Sequence, residues 1–345
     1  MARNLIRRFR LPAIQNDFDL AEWFRMPLKQ LAWYADCRNI ERTTHREPLR
    51  HYRYRLLTKR FGQLRLIESP KPRLKSLQRD LLEEIIGRLP PHSAAHGFRR
   101  GRSIKTNAME HVGRRVVIRM DLEDFFPSIT AARVRAVFLG VGYPRDVAEL
   151  LTGLCTNAAP SAVWRDVTTG DRLAFNQASR YAVPHLPQGS PTSPALANLV
   201  TLHLDRRLSG LATAVGGAYT RYADDLVFSG DDQLARSAKR FCTHVAATAM
   251  EEGFQVNFRK TRIMHASGRQ QVAGVVVNAH PNVSRREFDL LKATLTNCLR
   301  HGPESQNRTE HPHYRQHLAG RVAHFEMLNP ARGAKLRELF EKIAW

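Results

Sequence analysis

The chain has 345 residues, 43% of them apolar, which is enough for a sizeable core and for two or three domains or one large one. Its 54 Lys and Arg against 32 Asp and Glu give a net charge of +22, which points to a polyanion held through phosphate contacts. No apolar run approaches the ~18–20 residues of a membrane span, no apolar stretch or cleavage site follows the arginines of the first ten residues, and Cys37, Cys155, Cys242 and Cys298 form no CxxC pair. These features argue against a membrane protein, a secretory signal, a disulfide framework and a zinc site, and lead us to expect free thiols in the cytoplasm.

In chain order, residues 1–60 read as a basic helical extension. They hold 14 Lys and Arg against 6 Asp and Glu, with aromatic anchors Trp23, Phe24, Trp33, Tyr34, Tyr52 and Tyr54. Leu64 to Glu68 alternates as a strand, and Ser69-Pro70-Lys71-Pro72 ends it. A helix is predicted from about Leu74 to Leu89, stopped by Pro90-Pro91. Residues 92–111 read as a polar loop, and an acid-rich strand follows from Val116 to Phe126. Helices are predicted over 130–139 and 145–156, then a Pro/Gly/Ser-rich loop from Pro184 to Pro194 that feeds a helix to about 209. Short strands flank Tyr222-Ala223-Asp224-Asp225, and residues 233–252 form an amphipathic helix. Strands are predicted at Gln255–Phe258, Ile263–His265 and Val272–Asn278, with helices at about 286–300, 314–328 and 333–343. The mixture predicts an α+β fold, an antiparallel sheet backed by helices.

Two adjacent carboxylates, Asp224 and Asp225, at a tight hairpin repel each other, and a cation offsets that repulsion. If the hairpin pairs with the strand ending at Asp121, the three acids form a cage of hard oxygen ligands. Mg²⁺ suits such carboxylates together with waters and phosphates. Two ions about 3.5–4 Å apart stabilise both oxygens of an in-line displacement. The bland alternative is a solvated turn, which favours Asp on its own account.

Several ordered blocks between about residues 60 and 340 together resemble a reverse transcriptase of the bacterial retron type. They are Arg65 to Gln78, Asn107-Ala108-Met109-Glu110-His111, Asp121 to Ile129, Pro187-Gln188-Gly189-Ser190-Pro191-Thr192-Ser193-Pro194, Tyr222 to Asp225, Lys260-Thr261 and Val272-Ala273-Gly274. The family pattern has Val-Thr-Gly where this chain has Ala273. The resemblance implies a right-hand polymerase: an N-terminal extension (1–60), fingers and a palm with its antiparallel sheet (61–280), and a helical, RNA-binding thumb (281–345). It implies copying of part of a cognate non-coding RNA into short single-stranded DNA, primed from an RNA 2′-hydroxyl, and an effector protein partner in phage defence. No RNase H or endonuclease segment is apparent after residue 280, so removal of template RNA is expected to need another enzyme.

Asp121, Asp224 and Asp225 are the candidate catalytic residues, and with the Leu122 carbonyl the candidate ligands of two Mg²⁺ ions. By resemblance, Phe126 lies under the incoming sugar and excludes a 2′-hydroxyl, with Phe125 the core partner on the opposite strand face. Gln188 and Gly189 resemble the nucleotide floor, where glycine permits close backbone approach. Arg65 and Lys75 align with positions that hold the dNTP triphosphate, with Lys71 and Arg73 as nearby substitutes. Lys260 resembles the lysine that gives charge or a proton to departing pyrophosphate, and Val272–Val275 a strand gripping the primer end. Arg285, Arg286, Lys292, Arg315 and Arg321 would track RNA phosphates. The spacing of His301, His311, His313 and His317 matches no metal motif and reads as an exposed loop. Rival readings are an intron-type or phage-defence reverse transcriptase, an RNA polymerase, and an RNA-binding scaffold that restrains an effector.

Overall fold

The computed structural model describes residues 3–44, 46–58, 64–164 and 178–345. The chain divides into two compact units built from interleaved segments. One comprises Met1–Phe98, Leu122–Arg206 and Thr248–Val256; the other comprises Arg99–Asp121, Arg207–Ala247 and Asn257–Trp345. The border expected at residues 60 and 61 lies outside the described residues.

The first unit begins with helices at Arg3–Arg8, Asp17–Trp23, Leu28–Ala35 and Ile40–Thr43. The second of these starts where the Asn16 side chain accepts from the Asp19 amide, with Asp17 and Asp19 in the first turn. A strand follows where the composition predicts helix: β1 (Tyr52–Thr58) pairs antiparallel with β2 (Leu64–Pro70), Tyr52 opposite Pro70. The cause is the period of two in Tyr52-Arg53-Tyr54-Arg55-Leu56, which suits a pleated pair. Pro72 opens the next helix, which buries Leu74, Leu77, Gln78 and Leu81. It ends at Glu84, short of Leu89, because Ile85 leaves the helical region and a 3₁₀ turn follows. Helices Ala131–Val141 and Arg145–Cys155 add Val134, Phe138, Val147 and Leu151 to the buried core.

The expected strand does not continue to Phe126. Residues 123–128 form turns, with Asp124 at φ 44° and the Ser128 amide bonded to its carbonyl at 2.9 Å. Phe125 is buried and Phe126 half-buried because of that turn, not because strand faces alternate.

The second unit contains a four-stranded antiparallel sheet in the order β4-β5-β3-β6. Its strands are β3 (Val116–Asp121), β4 (Ala218–Tyr222), β5 (Asp225–Gly230) and β6 (Arg262–His265). The inner strand β3 buries Val116, Val117, Ile118 and Met120 completely, as a strand covered on both faces should. The polar 92–111 stretch holds a short helix, Ile104–Met109, started by a capping box between Ser103 and Thr106. The Gln255–Phe258 stretch makes only a bridge at Val256 and then a 3₁₀ turn at Phe258–Lys260. Instead of one strand over 272–278 there is a hairpin of β7 (Gln271–Val272) and β8 (Val275–Val276). It turns at Ala273 (φ 46°) and Gly274 (φ 85°), the left-handed pair that a two-residue hairpin turn requires.

Helices Arg285–His301, Tyr314–Leu328 and Pro330–Glu341 close the chain. Their Leu291, Leu295, Leu318, Val322, Phe325 and Leu336 share one core with Val272, Val275 and Val277. All four cysteines are free. Among the described residues no helix is long and apolar enough to cross a membrane.

Candidate active site

The acidic centre is built by register. Strands β4 and β5 meet at Tyr222 opposite Asp225, leaving Ala223 (φ 58°) and Asp224 as the turn. Strand β3 pairs with β5 so that Asp121 stands opposite Asp225 and Arg119 opposite Val227. Residues two apart share a face, so Arg119 lies diagonally across from Asp225 and grips both its oxygens, with three contacts of 3.0 Å. Lys260 donates from Nζ to Asp121 Oδ1 at 2.7 Å. Burial and the neighbouring charges of Asp121 and Asp225 hold the Asp224 carboxyl above the usual carboxylate range. Burial also raises the Asp225 carboxyl, against the pull of Arg119.

Two buried groups brace this hairpin. Arg221 is fully buried and donates to the Ala223 carbonyl at 3.1 Å. His111 contacts the Ser229 and Thr220 hydroxyls at 2.7 Å each, joining β5 to β4. The Asn107–His111 motif therefore acts in part by fastening the strands that carry the acids. Asn107 itself is buried with both side-chain polar atoms lacking a hydrogen bond among the described residues.

The first unit carries the other predicted residues. Arg65 on β2 and Lys75 on the helix Pro72–Glu84 are exposed. Lys71 is drawn away from them, donating to the Glu47 carbonyl at 2.7 Å, while Arg73 stays exposed. The half-buried Phe126 ring lies 5.5 Å from that of Phe125 and 6.1 Å from that of Phe98. The Gln188 carbonyl accepts from the Glu68 amide at 2.9 Å. A Cβ on Gly189 (φ 137°) would lie 2.7 Å from the Glu68 carbonyl oxygen, so this glycine is already required by the approach of its loop to β2. Below the loop, His185 Nε2 meets Glu68 Oε2 at 2.8 Å, and Asn157 donates to Glu68 Oε1 at 2.8 Å. Ser190 donates to Gln78 at 2.8 Å. Leu122 bridges Val256 through the amide of Glu123 and the carbonyl of Asp121, so the bridge does not use the Leu122 carbonyl.

Residues 57–298 match the reverse transcriptase (RNA-dependent DNA polymerase) family. The Mx65 retron reverse transcriptase of Myxococcus xanthus is 42% identical over 336 residues, which is 96% of this chain and 72% of the relative. The chain belongs to the retron reverse transcriptases. It is 37% identical to the Mx162 retron reverse transcriptase of the same organism, across 93% of the chain and 66% of the relative. For the Ec86 retron reverse transcriptase of Escherichia coli the identity is 30%, across 84% of the chain and 80% of the relative. The protein is therefore an RNA-directed DNA polymerase, and its family implies the right-hand polymerase fold and divalent ions.

The residues of this retron reverse transcriptase suit such ions, though not as the closed cage the sequence suggested. Among the described residues no group of three His, Cys, Asp or Glu side chains is arranged to hold a metal. Arg119 pairs with Asp225, and Lys260 with one oxygen of Asp121. A hard ion that keeps waters and substrate phosphates needs only one or two carboxylates. Burial first, and then the charges of Asp121 and Asp225, raise the Asp224 carboxyl, and such an ion would relieve the repulsion among the three. Arg119 and Arg221 were not found by sequence reasoning. The available signal was a cation inside each of two apolar strands that lead to acids.

Proposed function

We propose that this polymerase copies part of a cognate non-coding RNA into a short single-stranded DNA, starting from a 2′-hydroxyl of that RNA. It would work in the cytoplasm, in phage defence, with an effector protein as a further partner. The reading is supported above all by retron relatives that match across almost the whole chain. The in-register meeting of Asp121 with the Asp224–Asp225 hairpin adds to it. In this reading residues 61–280 supply fingers and palm, 281–345 the thumb, and 1–60 an extension.

Asp121 and Asp224, with the Leu122 carbonyl and less directly Asp225, would hold two Mg²⁺ ions. When bound, such ions stabilise the attacking and leaving oxygens of phosphoryl transfer. Arg119 would fix the Asp225 carboxylate by its two-oxygen grip, and Lys260 would orient Asp121 while carrying charge for the departing pyrophosphate. Arg65 and Lys75 would neutralise the triphosphate. Gln188 and Gly189 would floor the nucleotide, and Phe126 would refuse a ribose 2′-hydroxyl. The basic residues of the last three helices would follow RNA phosphates without reading sequence.

The test is to express the protein with its flanking genomic DNA, extract nucleic acid from the purified material and treat it with RNase. A discrete short DNA bearing an RNase-resistant branched nucleotide, absent from an Asp224→Asn/Asp225→Asn control, is the expected result. Activity on an added primed template without such a DNA would mean a reverse transcriptase that primes differently. No synthesis in either assay, with RNA binding retained, would favour the scaffold reading.

A further inference from the structure

We propose that the first unit carries a second RNA site, a basic recess that grips one strand by its ribose-phosphate backbone. The inference rests on the enzyme's use of an RNA partner but involves none of the residues assigned to synthesis. Arg38, Arg42 and Arg50, with Thr43, Thr44 and Ser161, line a cavity of about 540 Å³ whose wall, among the described residues, holds no acidic side chain. Among the described residues neither Arg38 nor Arg42 has a carboxylate partner, and both are exposed. Arg50 donates from Nε to the Thr44 carbonyl at 3.1 Å, which fixes the guanidinium and leaves its Nη groups for a ligand.

The backbone under these arginines is held in place. Asp36 accepts from the amides of Ile40 and Glu41 at 2.7 and 3.0 Å, fixing the start of the helix that carries Arg42. Buried Glu41 accepts in turn from the Tyr52 amide at 3.0 Å and the Tyr54 hydroxyl at 2.7 Å, tying that helix to β1. Arg50 also lines an adjoining recess of about 380 Å³ with Arg53 and Tyr54, so the basic surface continues past it. Glu47, in the wall of this second recess, is paired with Lys71 at 3.5 Å.

The donors and acceptors narrow the ligand. Guanidinium groups present only donors, in a fork that matches anionic phosphate oxygens. Thr43 and Thr44 both donate their hydroxyl protons to the Ile40 carbonyl, at 3.1 and 2.8 Å, so toward the cavity they offer lone pairs. A ligand that brings anionic oxygens to the arginines and hydroxyl donors to the threonines is a ribonucleotide backbone; the 2′-hydroxyl is the group that DNA lacks. A recess of this volume is in the range of a small-molecule site. It therefore accepts a local piece of a single strand and not a duplex.

The experiment measures binding of a fluorescein-labelled 20-nucleotide single-stranded RNA, and of DNA of the same sequence, to the full chain between 50 and 300 mM KCl. Three variants are compared with wild type: Arg38→Ala/Arg42→Ala, Arg38→Lys/Arg42→Lys and Thr43→Val/Thr44→Val. The alanine pair should lose about tenfold in RNA affinity and flatten the log–log salt slope by about 1.4, at roughly 0.7 for each phosphate no longer neutralised. The lysine pair should keep the slope, which separates missing charge from a damaged fold. The valine pair should weaken RNA and leave DNA unchanged. Elongation on a saturating primed template should be unaffected in all three. Unchanged RNA affinity and slope in the alanine pair overturn the site. Displacement of the RNA by ATP at equal phosphate concentration would assign the recess to a free nucleotide and overturn the strand. Equal weakening of RNA and DNA in the valine pair overturns the choice of RNA. Failure of wild type to elongate any template would instead strike the polymerase reading, so the two failures are distinguishable.

Discussion

Asp224 and Asp225 are neighbours in sequence, but their surroundings make them unequal. Arg119 holds both oxygens of Asp225, whereas Asp224 sits in the turn with its carboxyl pushed up by burial and by two other carboxylates. Removing the Arg119 fork would leave Asp225 as a half-buried acid without its cationic partner. We predict that Arg119→Ala lowers kcat for single-nucleotide addition about 10- to 100-fold, in keeping with the loss of a charge-assisted pair. Arg119→Lys should fall between, because an ammonium cannot grip two oxygens at once. An alanine variant with wild-type kcat would refute the role. At Phe126 the half-buried ring predicts that Phe126→Ala reduces the preference for dNTPs over rNTPs by roughly 10- to 200-fold, the range one steric group commands. An unchanged ratio of kcat/KM values would refute it. The acids were legible in the sequence because adjacent carboxylates demand a counter-charge. Arg119 was not, because its meaning depends on a register with residues 106 positions away.

At the scale of elements, the loop bearing Gln188 is moored by a buried pair. His185 faces the Val183 carbonyl with Nδ1 and the Glu68 carboxylate with Nε2, each at 2.8 Å, so both nitrogens are suited to donate. Burial alone would lower the imidazole, but the Glu68 charge and the two hydrogen bonds hold it above its ordinary value. The folded state thus binds this proton more tightly than the unfolded chain does. The resulting stability is complete below pH about 6.5 and is lost as pH rises through the folded value. Thermal midpoints of wild type should therefore fall from pH 6 to pH 9 more steeply than those of His185→Gln, and parallel curves would exclude the pair as the source. Most helices were legible from their apolar period, including the closing three. Strand β1 was masked by the basic, aromatic composition around it. The hairpin at Ala273 was hidden because nothing in Val-Ala-Gly-Val announces two left-handed residues. Likewise the turn after Asp121 looks like continuing strand until Asp124 is seen at φ 44°.

For the molecule as a whole, composition foretold a polyanionic partner, and the ordered motifs foretold the family. What composition did not foretell is the interleaving of the two units, since no shift in residue usage marks residues 98, 121, 206, 247 or 256. Interleaving has a consequence in time. Strands β1 and β2 are near neighbours in the chain and can pair as soon as both exist, whereas β3 must wait for β5 and then for β6. Closing such long loops is slow compared with local pairing. In pulse-labelled hydrogen exchange during refolding, amides of Tyr52–Thr58 should gain protection before those of Val116–Asp121, and simultaneous protection would refute this order. On the ribosome the same logic holds back the meeting of Asp121 with Asp225 and Lys260 until most of the chain has been made. A half-synthesised polymerase thus has no assembled acidic centre with which to engage the nucleotides around it.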